Sequence, residues 1–391
     1  MIKKVVLILC FFTTLLTNLI GQTKESIDSL IQRKIKETGI IGLSAAIIID
    51  KKLVWKNGYG YADKEKGLPF KSSTIMNIGS IAKTFTGLCV MKLVQDGLLN
   101  LDEDINSYLP FKVVNPNFPG EKITLRQLAT HTSSLADRYP FYNETIYIEP
   151  GKVRQPLGSF LHDYYVLGGR YYSKENFLPH KPGTYRDYSN IGAALAGYIV
   201  ELKSGKTLNK LSKEIIFKPL GMKSSGWFLN EVKINKHSKL YRKTDSDIEL
   251  LKLYEQITYP DGGVRTSVDD LSKFFICLLN DGRYDCKQIL NTETAREMTR
   301  FQYSDKINTS NVDPKQLNSG IFWATKQGGT RIGHNGSDPG VRTFMLSDLD
   351  KEIAIVMLVN TSLPDKEEIK FFEIQQALYQ MGKSIKQKAN Q

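Results

Sequence analysis

Cysteine is scarce: the 391-residue chain carries only Cys10, Cys89, Cys277 and Cys286, with no Cys-x-x-Cys. That excludes a dense disulfide framework and a zinc ribbon. The five histidines do not cluster, so no metal site is expected and no cofactor either. A Gly-x-Ser-x-Gly sequence is missing, which disfavours the nucleophile elbow of a Ser-His-Asp α/β-hydrolase. Internal repeats, low-complexity segments and long basic runs are also lacking. The net charge of +12 is spread along the chain. Spread charge of this kind favours an acidic envelope or an anionic substrate over nucleic acid. Only one long apolar run occurs, and it lies at the start.

Residues 1–21 read as a secretory signal. Lys3 and Lys4 form the charged start, residues 5–20 are mostly apolar, and Gly21 offers a small residue for cleavage. An uncleaved anchor is the competing reading, but the apolar run is short for a membrane span. Cleavage implies export, to a bacterial periplasm, and leaves residues 22–391 as one mature domain without a span. Cys10 departs with the signal, and Cys89 points into a core. Cys277 and Cys286 either pair or stay free; both readings stand. The oligomeric state is open.

Residues 25–38 have helical periodicity. Residues 42–50 and 52–61 are apolar and β-rich, joined by a short Asp-Lys-Lys turn, and predict a hairpin. Residues 330–333, 341–347 and 352–359 also predict strands, and residues 366–379 a last amphipathic helix. The expected fold class is therefore α/β in the α+β sense. One antiparallel sheet is built from about 25–75 and 310–385, flanked by the terminal helices, with a mostly helical region over about 80–305. Pockets form at such seams.

At that seam stands Ser80-Ile81-Ala82-Lys83. The helix after Ser80 is apolar on most sides, through Phe85, Leu88, Cys89, Val90 and Leu93, so it belongs inside the protein. Ser80 and Lys83 are three apart and share a face. A serine hydroxyl needs a neighbouring base, and burial lowers a lysine pKa far enough to supply one. The helix start also offers free N–H groups to an oxyanion. An N-cap serine followed by a solvated lysine fits the same four residues. A second cluster places Tyr188 and Asn190 on the loop into a small-residue helix, as acid/base and amide partner; it also reads as a packed N-cap loop. A third, His334-Asn335-Gly336-Ser337, ends a predicted strand. Its N–H groups suit an oxyanion and His334 suits a substrate carboxylate, while a plain glycine-rich hairpin fits equally.

Together, Ser-x-x-Lys, Tyr-x-Asn and His-x-Gly resemble the serine β-lactamase and penicillin-binding-protein superfamily. The Tyr-x-Asn form is similar to the branch with class C β-lactamases, D-alanyl-D-alanine carboxypeptidases and related esterases. Residues 124–135 and 261–271 look like further segments of that branch. The resemblance implies a β-lactamase/transpeptidase-like fold and an acyl-enzyme on Ser80, with Lys83 as base partner and Tyr188 serving the leaving group. Asn190, His334, Gly336 and Ser337 would bind substrate, and the N–H groups of Ser80 and Ser337 would form the oxyanion hole. The implied partner is a small-molecule or peptide substrate, peptidoglycan-derived in one reading. A D-amino-acid peptidase or an esterase is the expectation. A β-lactamase acting on penicillins or cephalosporins and a non-catalytic penicillin-binding protein are the alternatives.

Two departures stand out. The third motif carries histidine in place of lysine, a weaker and pH-dependent cation. Residues 139–177 are rich in aromatics, suited either to line the cleft or to form the small core of a surface insert.

Overall fold

The computed structural model describes residues 27–304 and 309–389. The expected signal segment lies outside them. Helix α1 (Ile27–Thr38) leads into β1 (Gly42–Ile49) and β2 (Lys52–Asp63). Asp50 and Lys51 turn the hairpin with φ of 48° and 63°, the paired positive values of a type I′ turn. A short β3 (Leu68–Pro69) follows, then α2 (Ala82–Gln95), which begins just after Ser80, α3 (Leu157–Tyr165), α4 (Asn190–Ser204) and α5 (Val268–Leu279). The chain returns to the sheet with β4 (Ala324–Lys326), β5 (Arg331–Asp338), β6 (Val341–Ser347) and β7 (Ile353–Val359), and α6 (Ile369–Ala389) closes it. The sheet order is β4-β5-β6-β7-β1-β2-β3, antiparallel throughout.

Strands β1 and β7 are central and buried at every position because both their faces are covered. Side chains alternate between faces. Leu43, Ala45 and Ile47 join a core with Ile31 of α1 and with Phe371, Ile374 and Leu378 of α6. Ala46 and Ile48 face the larger core, which holds α2, α4 and α5. There α2 is buried on nearly every side, and Phe85 stacks on Phe274 of α5. Small residues on α4 permit close approach: a Cβ on Gly197 would lie 2.4 Å from Cβ of Pro260. That contact seats the Tyr259–Asp261 turn against α4, beside the start of α2.

The structure differs from expectation in two places and decides between two pairs of readings left open. Strand β5 runs through the third motif instead of ending before it. Gly333 and Gly336 read as a stop, yet a Cβ on either would strike backbone oxygen, at 2.0 Å (Met345) and 2.1 Å (Ile78). They mark close approach within a strand. Helix α6 continues ten residues past position 379, to Ala389; its polar end is held by Lys386, which pairs with Asp50 and Glu352. The aromatic stretch divides. Phe160, Tyr164 and Tyr165 enter the main core, whereas Tyr139, Tyr142 and Tyr147 line a cleft. Cys277 and Cys286 are both free thiols; the first is buried, which pushes its pKa up to about 12. Among the described residues no helix is long and apolar enough to cross a membrane.

Candidate active site

Ser80 sits in a 3₁₀ turn, Gly79–Ile81, that runs into α2. Gly79 has φ +53°, and a Cβ there would lie 3.1 Å from the Ser337 nitrogen. Glycine thus lets β5 bring a backbone N–H beside the turn that carries Ser80. Thr343 of β6 fixes the same approach by donating to the Ile78 carbonyl at 2.7 Å. Ser80 opens onto a cleft of about 320 Å³, also lined by Tyr188, Asn190, His334 and Ser337. A larger hollow lies elsewhere, but two of its three carboxylates, Asp102 and Glu297, already pair with Arg126.

Lys83 is fully buried. Its ammonium donates to Ser80 Oγ at 3.0 Å, Asn190 Oδ1 at 2.6 Å and the Asp261 carbonyl at 2.9 Å. All three donors of the group are thereby used. Burial works to lower its pKa, but its interactions with Tyr188, Asp261 and Asp137 outweigh it and the pKa is raised. The expectation of a lysine neutralised by burial is therefore corrected. The apolar helix hides the lysine, yet acids remote in sequence surround it. Its nitrogen also lies 5.0 Å from the centroid of the Tyr188 ring. The Tyr188 hydroxyl is buried with no hydrogen-bond partner among the described residues.

The loop carrying Tyr188 is held from two sides. His131 packs on the Tyr188 ring with centroids 4.2 Å apart. Its Nδ1 accepts from the Ser189 N–H at 3.3 Å. Burial, reinforced by Arg186 and Lys83, drives the His131 pKa well below its usual value, so the ring stays a neutral acceptor. Asp137 takes the other side. It accepts from Ser189 Oγ at 2.9 Å, from the backbone N–H groups of Asn190 and Ile191 at 2.7 and 3.0 Å, and from Asn190 Nδ2 at 2.9 Å. A carboxylate at the first turn of α4 satisfies orphan donors there. Asn190, expected on a loop and free to orient substrate, is instead the first residue of α4. Its carboxamide is engaged by Lys83 and Asp137.

His334 also departs from expectation. It is buried, and Nδ1 lies 2.7 Å from the Asn335 carbonyl. A carbonyl can only accept, so the proton is on Nδ1 and Nε2 is left as an acceptor. Burial first, then Lys326 and Lys83, hold its pKa well below the usual value. A neutral ring cannot serve as the cation for a carboxylate. Gly336 contributes close packing against Ile78 rather than a contact surface.

The Beta-lactamase family pattern matches residues 27–378. The chain belongs to the beta-lactamase family. Its relatives include the protein flp of Staphylococcus aureus (strain MRSA252), 25% identical over 345 residues, which cover 88% of this chain and 64% of flp. Penicillin-binding protein 4* of Bacillus subtilis (strain 168) is 25% identical over 324 residues, 79% of this chain and 65% of that protein. The chain thus spans just under two thirds of these relatives. The structure of D-amino acid amidase from Ochrobactrum anthropi SV3 complexed with L-phenylalanine superposes with a TM-score of 0.72 at 22% identity, covering 93% of this chain and 98% of that one. That likeness shows the fold.

Within this beta-lactamase family member, several residues in or behind the cleft carried no local signal. Asp137 finds its partners more than fifty positions on, at 189–191. Asp261 and Asp338 accept from the hydroxyls of Tyr142 and Tyr147 at 3.1 and 2.8 Å. Burial raises their pKa values to about 7 and about 6. Lys326 lies at the end of the edge strand β4 and lines the cleft. A following Tyr-x-Asn helix start was the one available hint to Asp137; the others were not legible.

Proposed function

We propose that the protein is an exported serine hydrolase that cleaves an amide or ester through an acyl-enzyme on Ser80. The reaction suits a D-amino-acid peptide, cut in the manner of a carboxypeptidase, or an ester. The observation that carries this is Lys83 Nζ at 3.0 Å from Ser80 Oγ, with its other two donors anchored to Asn190 and Asp261. Such anchoring fixes the nucleophile's partner before substrate arrives. Ser80 Oγ attacks the carbonyl, and its proton passes to whichever member of the Lys83–Tyr188 pair has first given up its own, since an ammonium or an intact phenol cannot accept it. The tetrahedral oxyanion faces the backbone N–H groups of Ser80 and Ser337. Collapse breaks the bond to the leaving amine or alcohol, which takes the proton back. Water then attacks the acyl carbonyl and frees Ser80. Export is inferred from Lys3, Lys4 and the apolar run after them.

Intact-protein mass after brief exposure to a penicillin tests the reading, with Ser80→Ala alongside. The expected result is a gain of one penicillin in the wild type and none in the variant. A gain that decays within the assay moves the function to β-lactam hydrolysis. No gain with penicillin or with a simple activated ester refutes the hydrolase and leaves the non-catalytic binding protein.

A further inference from the structure

More than half of the chain's net charge falls in one stretch. Residues 203–239 carry nine lysines against two glutamates, a net of +7 out of +12. This corrects the even spread read from the sequence. Each lysine stands alone, three to ten residues from the next, so no basic run marks them, and folding draws several together. The helical segment over 208–217 ends in a turn at Gly221, whose φ is +62°. There the Met222 N–H donates to the Phe217 carbonyl at 2.8 Å and the Gly221 N–H to that of Lys218 at 3.1 Å, the pair of bonds that closes a Schellman motif. The reversal sets Lys213, Lys218 and Lys223 around one hollow of about 290 Å³. It shares no lining residue with the Ser80 cleft.

A lysine near the end of a helix has ordinary work, offsetting the dipole and capping the last carbonyls. Lys273 and Lys287 do that work here, donating to the carbonyls of Gly221 and Pro219 at 2.7 and 2.8 Å. Lys213, Lys218 and Lys223 do not. All three are exposed, and none makes a hydrogen bond or an ion pair among the described residues. The acids nearby are already engaged: Glu214 by Lys206, Asp270 by Lys273, and Glu231 by Asn209 and the Trp227 N–H. The surplus positive charge therefore faces solvent. We propose that this face binds a soluble polyanion whose charges are phosphate groups. Lysine meets phosphate as a point charge. Lys210 and Lys287, beyond the hollow, suit a chain of phosphates over a single one. The aromatic side chains of the stretch, Phe217, Trp227 and Phe228, are buried, so they offer no platform on which bases stack. Leu202 and Ile234 are exposed but only flank the lysines around the hollow, and no large apolar side chain between them is exposed to enter a bilayer.

Fluorescence anisotropy of an end-labelled, long-chain inorganic polyphosphate reads binding by the full chain. The wild type should bind, and its affinity should fall steeply with salt. Lys213→Gln, Lys218→Gln and Lys223→Gln together should weaken binding about tenfold or more and lower the slope of log K against log salt by about two, for the counter-ions no longer released. A control set takes the same charge from the far side of the sheet. Lys36 of α1 and Lys383 and Lys388 of α6 are exposed there, and their change to Gln should cost less than about threefold, because distant charges are screened. Thermal unfolding of both sets should match the wild type. Equal weakening by the two sets would show attraction to net charge alone and overturn the proposal. So would no binding, or binding that the first set leaves unchanged. Inorganic phosphate that competes as well as the polymer, group for group, would reduce the face to a single-phosphate site. Vesicles of acidic phospholipid that bind through the same three lysines while polyphosphate does not would make it a membrane face. Either result overturns the polymer. The Ser80 reaction takes no part in these readings, so each proposal can fail alone.

Discussion

At the scale of single residues, the cleft is arranged by groups that do not themselves line it beside Ser80. Asp137 is the main one. It collects four donors at the first turn of α4, and through Asn190 it sets where Lys83 Nζ lies. Burial raises its pKa against those hydrogen bonds, so its own desolvation is part of the cost of the fold. Asp137→Ala recovers that cost but leaves buried donors on Ser189, Asn190 and Ile191 unmet. The loss should win, because each unmet buried donor costs about 1–3 kcal/mol. The expected net is a destabilisation of about 2–3 kcal/mol by urea unfolding, with Ser80 acylation slowed about a hundredfold from misplacement of Lys83. An unchanged urea midpoint would mean that water replaces the carboxylate without loss.

At the scale of elements, the decisive contact is β5 pressed against the turn that carries Ser80. Gly336 makes it possible, since a Cβ there would sit 2.1 Å from the Ile78 oxygen and 2.4 Å from Thr343 Oγ1. The first of these is backbone and cannot swing aside. Gly336→Ala should therefore cost about 3 kcal/mol, the upper end for overpacking, and should slow acylation by moving the Ser337 N–H. Gly120→Ala, whose Cβ would meet nothing, should stay within about 0.5 kcal/mol. Thermal unfolding of both variants checks the contrast. The same contact explains what the sequence could and could not say. The apolar, β-rich composition and the short Asp-Lys-Lys turn made β1 and β2 legible, because those signals are local. Ser80 and Lys83 were legible for the same reason, three residues apart on one helix. Glycines at 333 and 336 look like a strand's end unless the neighbouring backbone is known. Asp137 acts on residues far along the chain, and no spacing rule reaches them. The state of His334 followed from burial among lysines, which a motif does not reveal.

At the scale of the whole molecule, the sheet joins the two ends of the described chain. β1 and β2 come from the start and β4 to β7 from the end, with β1 paired to β7 from Leu43 opposite Val359 to Ile49 opposite Ile353. The outer face of that central pair is covered by α1 and α6. Phe371, Ile374, Leu378 and Tyr379 of α6 are each at most 2% exposed. Burying one large apolar side chain contributes about 1.5–3 kcal/mol, so the four together rival the about 5–15 kcal/mol that separates a folded protein from its unfolded chain. The half that holds the Ser80 cleft contains none of them, yet the turn carrying Ser80 leans on β5 and so on the same sheet. Removal of residues 369–391 should therefore abolish cooperative folding and not merely loosen one edge. Circular dichroism of the shortened chain should show no sharp thermal transition, and penicillin should no longer label Ser80. A shortened chain that still melts cooperatively and still acylates would show that the helical half folds without the sheet's outer cover.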